Sequence, residues 1–240
     1  LKGARHAAVT RPLGSLFAGM TLSPKDRDGW VARWREGRIQ FHVDKVNPVL
    51  GRYVDRLLPG EFGRVFVPLC GKSLDLGWLV ERGHEVVGVE LVEKAVEDLF
   101  NGIGGSPTIS PQGELQSWQS NGLEVLVGDL FKLEAKVSGK FDAIWDRAAF
   151  VALRPSDRDR YAPHLQGFLR PNGRILLSTI SYDESSMEGP PFSVHANEVH
   201  RCFGNSLTIE KLEERINTDP NKCFTENGID HVLEEVWLIC

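Results

Sequence analysis

Four short apolar runs in this 240-residue chain each end on residues able to bind a ligand. VFVPL at 65–69 leads through Leu69 to Gly71, and VVGVE at 86–90 closes on Glu90. LEVLVGD at 123–129 closes on Asp129 and Leu130, and FDAIWD at 141–146 on Asp146 and Arg147. In open parallel sheets, ligands sit beyond the carboxyl ends of the strands, so these are the positions where chemistry is expected. Gly71 lies 19 residues before Glu90. That spacing suits a nucleotide fold: a glycine turn lets the backbone approach the ligand, and an acid at the second strand end takes the ribose hydroxyls. A carboxylate can accept both hydrogen bonds of a vicinal diol. The alternative for Glu90 is an exposed acid at a strand end; with Gly71 and Asp129 in step, ribose binding is favoured. Asp129 suits an acceptor for an adenine amino group, with the Leu130 amide facing a ring nitrogen. Its alternative is to cap the next helix.

The glycine loop decides which nucleotide. Residues 71–77 read GKSLDLG, without the G-x-G-x-x-G of a dinucleotide site. A triphosphate loop ending in GKS needs a glycine five residues before Gly71, where Phe66 stands. A glycine-poor turn suits a cofactor with no pyrophosphate, and S-adenosylmethionine is one.

The elements that must position these residues alternate. A helix is expected from Pro24, with Asp26 and Asp28 near its start and Gly37 at its end, and a second over 47–58 before Pro59-Gly60. Further helices are expected over 74–81, 93–101 and 157–169, and a fifth strand over 174–182 after a tight turn at 169–173. Strands alternating with helices give βαβ units, a parallel sheet and an α/β fold. Residues 102–121, rich in Gly, Pro, Ser and Gln, read as an insertion loop. The segment 205–216 is ambiguous between strand and helix, and alternation over 229–239 suggests a terminal hairpin.

Composition narrows the class. The hydrophobic fraction of 41% and charged fraction of 25% are those of an ordinary globular domain. The net charge of -5 argues against a nucleic-acid partner. No apolar run approaches the ~20 residues of a membrane span. Cys70, Cys202, Cys223 and Cys240 form no C-x-x-C pair and no zinc spacing, so no metal is expected and a reducing, cytoplasmic setting is. Residues 1–20 carry Lys2, Arg5 and Arg11 without an acid, the bias of a transit peptide or of a misplaced start. We read 1–23 as a disordered extension, chiefly 1–20, and 24–240 as one domain.

Longer blocks carry a resemblance. VPLCGKSLDLGWL at 67–79, RGHEVVGVE at 82–90, KFDAIWDRAAFVAL at 140–153, GPPFSVHANEVHRCFG at 189–204 and GIDHVLEEVWLI at 228–239, with W-x-x-R-W-x-x-G-x-x-x-F-H over 30–42, are similar to the thiopurine S-methyltransferases. The resemblance implies a class I, Rossmann-like methyltransferase fold: a mostly parallel seven-stranded sheet with a reversed C-terminal hairpin and helices on both faces. It implies methyl transfer from S-adenosylmethionine to the sulfur of an aromatic or heterocyclic thiol; separately, we expect the chain to act as a monomer. It implies cofactor contacts from Trp30, Arg33, Trp34, Phe41, Leu69, Glu90, Asp129, Leu130 and Arg147, and substrate contact at Phe41. The family's C-terminal substrate arginine has no counterpart; Cys223 stands in its place beside Lys222.

On this reading Trp30, Trp34 and Phe41 form a lid whose aromatic faces suit a sulfonium and exclude water, although aromatic stripes also form ordinary cores. Asp146 would accept a proton through water, and Arg147 would steady a thiolate or the cofactor carboxylate; a local Asp146–Arg147 ion pair is the alternative. His195 and His200 lack metal spacing, and Cys70 lacks a nearby base. Alternative functions are methylation of halide, alkyl thiol, selenium or tellurium species, a non-catalytic adenosyl-binding module, and a nicotinamide oxidoreductase, which the missing glycine pattern argues against.

Overall fold

A computed structural model of the chain describes residues 21–240. The expected disorder of 1–20 lies outside them. Residues 21–23, grouped with that extension on sequence, are instead tied into the domain. Ser23 caps the first helix by accepting from the Asp26 amide, and the Leu22 amide donates to Asp129 at 2.7 Å. Arg160 donates to the Thr21 carbonyl. The partners of Leu22 and Thr21 lie far along the chain, where sequence spacing gives no sign of them.

Two helices lead in, α1 (Pro24–Arg35) and α2 (Pro48–Leu57), each opened by proline and a polar cap. Then follow β1 (Arg64–Pro68), α3 (Asp75–Glu81), β2 (Glu85–Glu90), α4 (Glu93–Gly102), β3 (Thr108–Gln112), β4 (Leu115–Ser120) and β5 (Leu123–Val127). A 3₁₀ turn at Leu130–Lys132 and α5 (Ala135–Ser138) precede β6 (Phe141–Asp146), α6 (Ala149–Ala152), α7 (Pro155–Gln166) and β7 (Leu169–Ser181). The chain closes with α8 (Ala196–Phe203), β8 (Ile209–Asn217), α9 (Lys222–Thr225) and β9 (Val232–Ile239).

The strands form one sheet in the order β3-β4-β5-β2-β1-β6-β7-β9-β8. The five strands from β5 to β7 pair in parallel, and β9 and β8 run antiparallel at one edge, as expected. Period-two alternation packs the two faces: Val65 and Val67 join α2–α4, while Phe66 joins the α6–α8 side.

Three expectations change. The insertion loop over 102–121 contains the hairpin β3–β4, which adds two antiparallel strands beside β5. β3 buries none of its side chains fully, and in β4 only Leu115, Ser117 and Trp118 are buried between polar neighbours, so the apolar signal is faint. The turn expected at 169–173 is absorbed into β7, with Asn172 at φ 65° and a register shift opposite Phe141 and Ala143. The ambiguous segment 205–216 yields edge strand β8. Arg52 and Arg56 of α2 pair with its Glu213 and Glu210, at 2.8 and 2.7 Å.

One buried charge holds the α6–α8 side. Arg158 has no exposed surface and donates to the Phe150, Ser193 and Phe192 carbonyls and to Glu198. Removing it strands those acceptors. Arg158→Ala is expected to cost about 3–5 kcal/mol in urea unfolding; a loss below 1 kcal/mol would show that the pairing contributes little.

Candidate active site

The parallel register sets Pro68 beside Val89, so the turn after β1 falls next to Glu90 at the end of β2. Glu90 is buried, and its two oxygens accept from the Gly71 and Val92 amides, both at 2.9 Å. Burial pushes its carboxyl above the usual value, against these amide bonds. Gly71 sits at φ 52°, and a Cβ there would lie 3.1 Å from the Trp34 ring. The turn therefore needs glycine twice over, for its backbone angle and for the approach of α1. Leu69 also takes a positive φ, 46°. Beneath the turn, a Cβ on Gly88 would lie 2.7 Å from Cys70 Sγ, which accounts for the glycine inside β2.

The aromatic residues of the leading segment close over this turn. Phe41 meets Trp30 and Trp34 edge-on, with ring centroids 5.7 Å apart in both pairs. Trp34 packs on Val92 and Ala95 at the start of α4. The Arg33 guanidinium lies 5.1 Å from the Trp30 ring centroid. Arg147 donates to the Phe41 carbonyl at 2.9 Å, tying the far end of the segment to β6. Burial lowers the Arg147 pKa, opposed by Asp75 and Glu234.

A cavity of about 1130 Å³ runs between these parts. Trp30, Arg33, Trp34, Phe41, Leu69, Gly71, Glu90, Asp129, Leu130 and Arg147, all selected on sequence, line it. Its volume exceeds the ~300–1,000 Å³ of ordinary single-ligand pockets, which leaves room for a cofactor and a second molecule.

The family profile described as Thiopurine S-methyltransferase matches residues 25–240. A Thiopurine S-methyltransferase of Pseudomonas fluorescens (strain Pf0-1) is 44% identical over 210 residues, covering 88% of this chain and 96% of that protein. One from Nitrosospira multiformis is 39% identical, covering 89% and 97%. This chain belongs to the thiopurine S-methyltransferase family. Among solved structures, the 1,6-didemethyltoxoflavin-N1-methyltransferase of Burkholderia thailandensis, with bound S-adenosylhomocysteine, aligns with a TM-score of 0.60 at 18% identity, over 92% of both chains. A methyltransferase of Anabaena variabilis gives 0.58 at 13%, over 92% and 96%. These support the class I methyltransferase fold.

The other two strand-end acids differ in placement. Asp146 does not line the cavity. It is fully buried, with one oxygen accepting from the Ala149 and Phe150 amides and the other from the Tyr161 hydroxyl at 2.6 Å. It caps the start of α6, and among the described residues it forms no ion pair with Arg147. Asp129 lines the cavity but also accepts from the Phe131 amide, which is the capping alternative.

In this thiopurine S-methyltransferase family member, the end of the cavity away from Glu90 is built from residues that sequence reasoning missed. Ser178 and Ile180 of β7, Asn217 of β8 and the segment before β9, including Cys223 and Phe224, supply its wall. Cys223 and Phe224 lie in the four-residue helix α9 between β8 and β9, too short for a helical period to mark them in the sequence. The thiol of Cys223, which stands where the family resemblance would put an arginine, is pushed up by burial and drawn down by Arg33. Buried Asp75 was missed too: it accepts from the Trp145 indole and the Asn47 amide, anchoring the entry to α2. Among the described residues His42 is the one imidazole lining the cavity, 2.8 Å from Asp44.

Two outcomes follow from this geometry. Gly71→Ala is expected to weaken S-adenosylhomocysteine binding at least tenfold in calorimetry while the far-UV spectrum stays native, since left-handed backbone and Trp34 both oppose a Cβ. Unchanged affinity would separate the glycine turn from the binding site. Burial raises the Asp146 carboxyl from 3.8 to about 6. The folded state therefore holds this proton more tightly than the unfolded chain. Its contribution is present below about pH 3.8 and is lost as pH rises through about 6, worth about 3 kcal/mol at most. Asp146→Asn should flatten that part of the stability–pH curve; an identical slope in both proteins would reject the shifted carboxyl.

Proposed function

We propose that this chain transfers the methyl group of S-adenosylmethionine to the sulfur of an aromatic or heterocyclic thiol. The observation that carries the reading is Glu90: a carboxylate held at the cavity wall by two backbone amides. A carboxylate has about four lone-pair sites, so acceptor capacity remains for a ribose diol. The Gly71 turn and the aromatic segment fit the rest of an adenosyl group, because close backbone approach and flat faces are what they offer.

S-adenosylmethionine supplies an electrophilic methyl group on a sulfonium centre. The chain's own residues bind, orient and exclude water. Glu90 holds the ribose end, and the Leu130 amide, at the first position of a 3₁₀ turn, has no partner within that turn and can face a ring nitrogen. Trp30, Trp34 and Phe41 shut water from the reacting atoms, where an aromatic face favours a cation. Phe41 also borders the acceptor end. Arg147, largely buried and bonded to the Phe41 carbonyl, presents positive charge to a thiolate or to the cofactor carboxylate.

Asp146 is committed to α6, so proton removal by that group has no support from its placement. In-line displacement needs alignment more than base catalysis, and aromatic thiols ionise readily near neutral pH. We infer further that the chain works as a monomer in the cytoplasm, without nucleic acid. The acidic net charge, the free cysteines and a site assembled from one chain support this. Among the described residues no helix is long and apolar enough to cross a membrane.

Turnover against aromatic thiols of graded pKa tests the proposal. Arg147→Ala is expected to lower kcat/KM about 10²-fold across the series, as loss of a positioned charge does. Asp146→Asn is expected to act mildly and equally on all members. Reaction with a catechol or an amine but no thiol would overturn the assignment of the acceptor.

A further inference from the structure

The leading segment is held onto the domain at several polar points, and one side chain dominates its first turn. Asp129 is buried, and its two oxygens face different elements. Oδ1 accepts from the Phe131 amide at 3.0 Å and shapes the 3₁₀ turn that presents Leu130 to the cavity. Oδ2 accepts from the Leu22 amide at 2.7 Å and from Arg27 Nη2 at 3.3 Å, both from the start of the aromatic segment. Arg27 is 42% exposed and Asp129 only 3%, so the shared charge sits on the domain side. Nearby, Asp26 pairs with Arg154 at 3.1 Å, and Arg160 holds the Thr21 carbonyl at 3.0 Å while stacking over Phe131.

We propose that Asp129 is a positioning residue that latches the aromatic lid to the adenine-side turn, so that lid closure and cofactor affinity are set by one carboxylate. The proposal rests on the reading of the cavity as an S-adenosylmethionine site. The two bonds to Oδ2 fill its lone pairs, so that oxygen is spent on the lid. Through Oδ1 the same side chain holds the Leu130 amide in place. Loosening the lid therefore disturbs both walls of the cofactor end at once. A buried carboxylate that lost its lid donors would be left short of partners, which makes closure the state Asp129 favours.

The test uses the full chain, with Asp129→Asn, Arg27→Gln and the double variant. Hydrogen exchange of the α1 amides is followed first without ligand. Asn retains one carbonyl oxygen and cannot serve both elements, so Asp129→Asn is expected to speed exchange over 24–35 about tenfold. Arg27→Gln, which leaves Asp129 and its cap intact, should speed it about threefold, and the double variant should match Asp129→Asn alone. S-adenosylhomocysteine should bind Asp129→Asn about tenfold more weakly. KM for S-adenosylmethionine should rise by a similar factor while kcat at saturation falls less than threefold, a split that general loss of structure would not give. Unchanged α1 exchange in Asp129→Asn, or effects of the two substitutions that simply multiply, would overturn the latch. Weaker binding with unaltered α1 exchange would assign Asp129 to direct contact with adenine instead. The exchange arm needs no ligand, so a wild type that bound no S-adenosylhomocysteine would reject the cofactor reading while the latch was still decided.

Discussion

A carboxylate taken out of water must find donors or lose its charge. At the end of β2 the donors for Glu90 are the amides of Gly71 and Val92. Gly71 can offer its amide there only because β1 and β2 run in parallel register and because its backbone bends through a positive φ. The bend is open to Trp34 because Gly71 carries no side chain, and Trp34 brings α1 with it. Register, turn, carboxylate and α1 are thus one connected arrangement. Displacing any part shifts the position where an adenosyl group would be held.

The same logic explains how the acids divide their work. Glu90 has backbone donors and remaining acceptor capacity at the cavity wall, so it is suited to binding. Asp146 has three donors within the fold and does not line the cavity, although it stands next to Arg147 in sequence. Asp129 is divided between the 3₁₀ turn and the residues at the start of α1. Three acids occupy equivalent strand-end positions, and the partners each one meets determine its role.

Much of this arrangement was legible in the sequence because it depends on local patterns. Apolar runs ending in Leu69, Glu90, Asp129 and Asp146 marked the strand ends, and the Gly71-to-Glu90 spacing identified the pair that proves bonded. The aromatic cluster of Trp30, Trp34 and Phe41 lies within a motif over 30–42 that the family resemblance marked. What could not be read depends on distant partners. Nothing near Leu22 indicates that its amide meets Asp129, and nothing near Asp146 points to the Tyr161 hydroxyl. The hairpin β3–β4 escaped because its side chains are mostly polar, and β8 because an edge strand with one weakly covered face has little apolar alternation to show. The cavity wall around Cys223 lies in the four-residue helix α9, too short for a helical period to show.

The charged edge at β8 has a consequence for crowded solutions. An outermost strand offers unpaired backbone groups to any passing strand, which is how sheets extend into aggregates. Here Glu210, Lys211, Glu213, Glu214 and Arg215 stand along that strand, and Arg52 and Arg56 reach across from α2 to two of them. A docking strand would have to strip water from this row and part those ion pairs before gaining a backbone bond. At the opposite margin, Pro111 in β3 withholds a donor from any newcomer. Both margins of the nine-stranded sheet thus carry features that oppose its growth.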